Sequence, residues 1–210
     1  MLSTVNVTAA PAVEPVSLDL ARRHCRIDSQ AEDDLLAGYL TSARVMAEMY
    51  LSRALITQTL VWTMRPEWPV RPSVHTLHGP LELPRAPVQS VSTVVVTDKD
   101  GNVTTIPAAT LPITPPLLGY KVDIGQTPAQ LVIGQGTALS GNKLVLHTYF
   151  DTIKITFVAG YGDTGATVPQ PIRDATLMIT GFLYENRGDV PAELPRAAEW
   201  LLDPYRLRFI

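Results

Sequence analysis

The chain has 210 residues, 46% of them hydrophobic, with 20 acidic and 17 basic side chains and a formal net charge of -3. That length and apolar share suit one domain with appendages and a core that needs no metal or disulfide staple. The near-balanced charge argues against a tight nucleic-acid grip, which needs a basic patch, and the lone Cys25 excludes an internal disulfide.

Residues 1–15 read as an extended arm of Ser, Thr, Ala and Pro without period. They show neither the basic start nor the apolar middle of a secretory leader. Ser17 is a good N-cap for a short helix over 18–26, with Asp19 in its first turn and Cys25 as a small buried hydrophobe near its end. The acidic step Glu32-Asp33-Asp34 sits at the start of a second helix, expected over 31–53. Leu35, Leu36, Tyr39, Leu40, Ala43, Met46, Ala47, Tyr50 and Leu51 follow in it at helical spacing.

The period then changes. Strands are expected between 56 and 161, over 56–64, 81–83, 88–98, 102–107, 120–124, 130–133, 143–150 and 151–161. Asp98-Lys99-Asp100-Gly101-Asn102 is a hairpin turn. The loop 162–171 feeds a helix over 171–187, where Pro171 suits the first turn and Gly188 a stop. A last helix spans 196–203, and 204–210 form a tail. Helices, then strands, then helices imply an α+β fold. Helical N- and C-terminal segments would pack with a central antiparallel β-sheet or hairpin region, as a single domain over 16–203. No apolar run approaches the ~18 residues of a membrane helix.

Catalytic machinery is not apparent. His24, His75, His78 and His147 are scattered without ligand spacing. The acidic run 32–34 lacks the alternation of a calcium loop and suits the positive end of a helix. GQGTALSG at 134–141 is neither a phosphate loop nor a dinucleotide fingerprint, and GYGD at 160–163 reads as backbone geometry. We therefore expect no enzyme, no cofactor and no metal.

The C-terminus differs. Pro204, Tyr205, Arg206, Leu207, Arg208, Phe209 and Ile210 mix aromatic, apolar and arginine side chains, a composition favoured at protein interfaces. An end this apolar either folds back on its own core or docks on a neighbour.

Taken in order, four stretches resemble the head–tail connector (adaptor) proteins of tailed bacteriophages and phage-like gene transfer agents. They are EPVSLDLARRHCRID with EDDLLAGYLTSARVMAEMYLSRALITQT, then LPRAPVQSVSTVVVTDKDG, then FVAGYGDTGATVPQPIRDATLMITGFLYENRGD, then LPRAAEWLLDPYRLRFI. The likeness covers most of 14–210, although 107–142 is longer and more irregular than the pattern. The resemblance implies a structural protein of the virion neck, assembled in the bacterial cytoplasm with no membrane. It would form a ring, usually of twelve copies, beneath the portal protein. A stopper or tail-completion protein would follow on the other side, met by loops at 66–79, 98–102 or 134–141. DNA would pass non-specifically through the channel. By the same resemblance Pro204–Ile210 would engage the portal. Another neck protein, such as a stopper or tail terminator, and a small-molecule-binding or enzymatic α+β domain are the competing expectations.

Overall fold

The computed structural model describes residues 2–65, 80–108, 118–135, 150–188 and 193–207. They form an α+β fold whose chain falls into two compact units. One comprises Met1–Ala10 with Gln58–Ala159, and the other Pro11–Thr57 with Gly160–Ile210. The sequence had suggested one domain over 16–203 preceded by an arm.

The first unit is all β. Its five-stranded sheet has the order β1 (Leu2–Ala9), β2 (Gln58–Arg65), β8 (Phe150–Ala159), β4 (Val88–Asp98), β5 (Val103–Ile106), antiparallel throughout. Register places Leu60 beside Phe157, Trp62 beside Ile155, and Met64 beside Ile153. On the far side of β8, Val94 and Val96 stand opposite Ile155 and Ile153. Directly opposed residues share a face, so these side chains form continuous buried rows. Each stabilises the sheet by about 1.5–3 kcal/mol relative to exposure. A second sheet, β3 (Leu81–Glu82), β7 (Gln130–Gln135), β6 (Leu118–Asp123), buries Leu131, Ile133 and Tyr120. The Tyr120 amide donates to the Pro107 carbonyl at 3.0 Å, linking β6 to the end of β5.

Residues 2–9, expected as part of an extended arm, are extended and form an edge strand paired to β2. Val7 and most of its neighbours stay exposed. A strand without a buried face needs no two-residue alternation, so periodicity could not reveal it. The strand expected at 143–150 lies outside the described residues except for Phe150, where β8 begins.

The second unit is helical. α1 (Leu18–His24) is capped by Ser17, whose Oγ accepts from the Leu20 amide at 3.2 Å. α2 (Asp33–Leu51) begins after Glu32, two residues later than the sequence suggested, and stops at Ser52, whose φ of 55° is left-handed. α3 (Gln170–Glu185) begins behind Pro169 with Pro171 in its first turn, and Asn186, not Gly188, caps it. α4 (Arg196–Leu202) runs into a 3-10 turn at Asp203–Tyr205. The core sets Ala43, Ala47 and Leu51 of α2 against Ile172, Ala175, Ile179 and Leu183 of α3 and Ala198 and Leu202 of α4. Alanine at the crossings lets helices approach closely. A second cluster joins Val16, Ala21, Leu36, Leu40 and Leu177.

The GYGD turn is backbone geometry, as the sequence suggested. Gly160 has φ +140°, and a Cβ there would lie 2.5 Å from the Ile56 carbonyl carbon and the Thr57 amide nitrogen. Only glycine lets the two chain segments pass this closely.

Candidate interaction surfaces

No group of three or more His, Cys, Asp or Glu side chains converges on a metal site among the described residues. His24 packs against α3, where a Cβ on Gly181 would stand 3.2 Å from its ring. His75, His78 and His147 lie outside the described residues, as do loops 66–79 and 136–141. Cys25 is half-buried against the Val16–Leu36 cluster, and burial pushes its thiol pKa up. No helix of the described residues is long and apolar enough to cross a membrane.

The acidic run divides its labour. Asp33 and Asp34 occupy the first turn of α2, where the helix dipole favours them. Glu32 instead reaches α3. Its carboxylate accepts from Arg187 Nη2 at 2.8 Å and from the Tyr184 hydroxyl. The Arg187 hydrogen bond, then that of Tyr184, hold its pKa below the ordinary carboxylate value. Arg187 also stacks over the Tyr184 ring at 4.4 Å.

The C-terminal segment, as far as Leu207, folds back on its own unit. The Tyr50 hydroxyl donates to Asp203 Oδ1 at 2.7 Å, and this hydrogen bond raises the Tyr50 pKa. Arg53 Nε donates to the Tyr205 carbonyl at 2.5 Å, the Leu207 amide donates to the Leu51 carbonyl at 3.0 Å, and Arg206 lies 4.6 Å over the Tyr50 ring. Pro204 is exposed and Tyr205 half-buried. Arg208, Phe209 and Ile210 lie beyond the described residues. The sequence grouped 204–210 as one tail; the structure anchors Tyr205, Arg206 and Leu207 at the end of α2.

A feature unforeseen from sequence concerns the charges of α2. Arg44 and Glu48 are each only 7% exposed. Arg44 donates through Nε to Glu14 at 2.8 Å and through Nη1 to Glu48 at 2.9 Å. The other Glu48 oxygen accepts from the Leu55 amide at 2.9 Å. Only the one-turn spacing of an Arg–Glu pair hinted at it. Glu14 also borders a groove of about 750 Å³, whose apolar lining includes Val13, Leu18, Leu20, Ala37 and Leu177.

Residues 15–102 match the family described as phage gp6-like head–tail connector protein. The fold is similar to that of a chain in the neck of an empty gene transfer agent particle, computed with C6 symmetry. Identity there is 22%, coverage 99% of this chain and 97% of that one, and the TM-score 0.68. A chain in the virion of a native gene transfer agent particle is 20% identical, with the same coverage and TM-score 0.68. One in the neck of the native particle, computed with C12 symmetry, is 21% identical over the same shares, with TM-score 0.66. No curated protein sequence matches the chain.

Proposed function

We propose that this chain is a structural head–tail connector of a tailed phage or gene transfer agent. It would form a ring in the virion neck, between portal and stopper or tail, through which DNA passes. The observation that carries the reading is end-to-end likeness: 99% of this chain superimposes on 97% of a neck chain at a TM-score of 0.68. The matched connector family over 15–102 supports the same role from sequence. C12 symmetry in one of those necks supports a ring of twelve.

Portal contact is assigned to the end of the chain, from Pro204 to Ile210. Because Tyr205 and Leu207 are tied to α2, the assignment is tested on Arg208, Phe209 and Ile210. The test is to delete Arg208–Ile210 and measure binding to portal rings and particle assembly. Retained circular dichroism with lost portal binding is the expected result. Normal binding by the truncated chain overturns the tail assignment. A full-length chain that binds neither portal nor stopper, and is missing from the neck by cryo-EM, overturns the connector reading.

A further inference from the structure

We propose that the outward face of α2 is the surface on which a second copy of this chain docks, head to tail, with the α4 face bearing Trp200 as the opposing surface. The inference rests on the ring reading above and names the contact that would build the ring.

A surface helix ordinarily turns charge outward and apolar side chains inward. Here the only charged residues between Asp34 and Arg53 are Arg44 and Glu48, and both are buried. The exposed positions are Leu35, Ala37, Gly38, Thr41, Ser42, Val45 and Met49, none of them charged. Leu35 and Val45 are 41% exposed and Met49 65%. At 1.5 Å per residue, this neutral strip runs about 20 Å.

Its hydroxyls are also already satisfied. Thr41 donates to Glu14 at 2.9 Å and Ser42 to the Gly38 carbonyl at 2.9 Å. Covering them strands no donor, so the usual cost of burying polar groups is small. The helical unit carries no lysine at all: Lys99, Lys121, Lys143 and Lys154 all fall in the other unit. Interfaces are depleted in lysine for the same reason, since its ammonium and flexible stem are costly to bury.

A neutral face has no charge to attract DNA or a charged partner, whereas a copy of the same chain offers the exposed indole of Trp200, with Arg196 and Asp203 exposed at the edges of that patch. Rotational closure requires two different patches, one from each copy. Trp200 supplies the second: at 75% it is the most exposed large hydrophobic side chain among the described residues. Gly38 has nothing within 4 Å of where a Cβ would stand, so an indole can settle onto bare backbone there. Buried tryptophans are frequent anchors of interfaces.

The test uses the full chain, alone and mixed with portal rings, with assembly read by mass photometry and folding by circular dichroism. Val45→Glu and Trp200→Ala lie on exposed positions and are expected to keep the fold. Each should weaken self-association at least tenfold, since Val45→Glu would bury an unpaired charge. Ser42→Cys with Ala197→Cys should yield a ladder of disulfide-linked copies, while Ser42→Cys alone should not. Rings formed normally by Val45→Glu overturn the proposal, and efficient dimers of Ser42→Cys alone overturn its head-to-tail form. Lost portal binding with intact self-association assigns the face to the portal and also overturns it. A wild-type chain that never associates, even on portal rings, instead overturns the ring reading itself.

Discussion

Arg44 and Glu48 stand one turn apart on α2 and meet at 2.9 Å on its buried side, where a surface helix would ordinarily place apolar groups. The pair is held by further partners: Glu14 on the guanidinium and the Leu55 amide on the carboxylate. This network ties the segment before α1 and the chain after α2 to the middle of the helix. It also leaves the exposed positions of α2 from Leu35 to Met49 without charge.

Removing one partner should cost more than removing both. Glu48→Met leaves the buried Arg44 guanidinium with Glu14 as its one remaining carboxylate partner in this network and strands the Leu55 amide, and should destabilise the protein by about 3 kcal/mol. Arg44→Met with Glu48→Met removes both charges and should lose less than the two single changes summed. Urea unfolding of the wild type, Arg44→Met, Glu48→Met and the double variant forms the cycle, and additive losses would refute coupling.

Gly160→Ala should lower stability by at least about 2 kcal/mol, because its φ is left-handed and the new Cβ would strike the Ile56–Thr57 peptide. At this chain length that is a fall in Tm of roughly 4–8 °C. Gly38→Ala is the contrast. It sits inside α2 with open space around it, and should stabilise the isolated chain by about 0.5–1 kcal/mol. Differential scanning calorimetry of both variants checks the pair.

Phe157 is fully buried in the central strand β8, beside Leu60 of β2. Phe157→Ala should cost about 3–5 kcal/mol through lost burial and a residual cavity. Val103→Thr, on an exposed position of β5, should change stability by less than about 0.5 kcal/mol. Comparable losses at the two positions would contradict the register given above.

The hairpin turn should be sensitive to acid. Asp98 accepts from the Asn102 side chain at 2.8 Å and from the amides of Asn102 and Asp100 at 2.9 Å. Its pKa is lowered, first by the Asn102 side-chain hydrogen bond. A depressed folded pKa means the stabilisation is full above the ordinary Asp value of about 3.9 and fades as pH falls through the lower folded value. An NMR titration following the Asn102 amide should show a midpoint below that ordinary value, and Asp98→Asn should remove the transition. A midpoint at or above it would refute the turn geometry.

Much of the fold was legible because local spacing and burial agreed. Leu36, Leu40, Ala43, Ala47 and Leu51 recur at helical intervals and are buried, and Ile172, Ala175, Ile179 and Leu183 do the same in α3. Asp98 to Asn102 turned where glycine allowed it, with Gly101 at φ +85°. β1 was not legible as a paired strand because no face of it enters a core. The head–tail connector resemblance was legible in the ordered stretches, and the family match over 15–102 and the neck-like fold agree with it.

Local chemistry thus determined the element types, the turn residues and the absence of a recognisable catalytic motif, since these depend on neighbours in sequence. Tertiary structure decided which side of each element faces inward. It brought Glu14 to Arg44 and Tyr50 to Asp203, pairs distant along the chain. It gathered the helices from both ends of the sequence into one unit and left α2 beyond its first turn neutral outside and charged within. Periodicity ranks residues by polarity, but only packing and pairing determine whether a charge is solvated or buried.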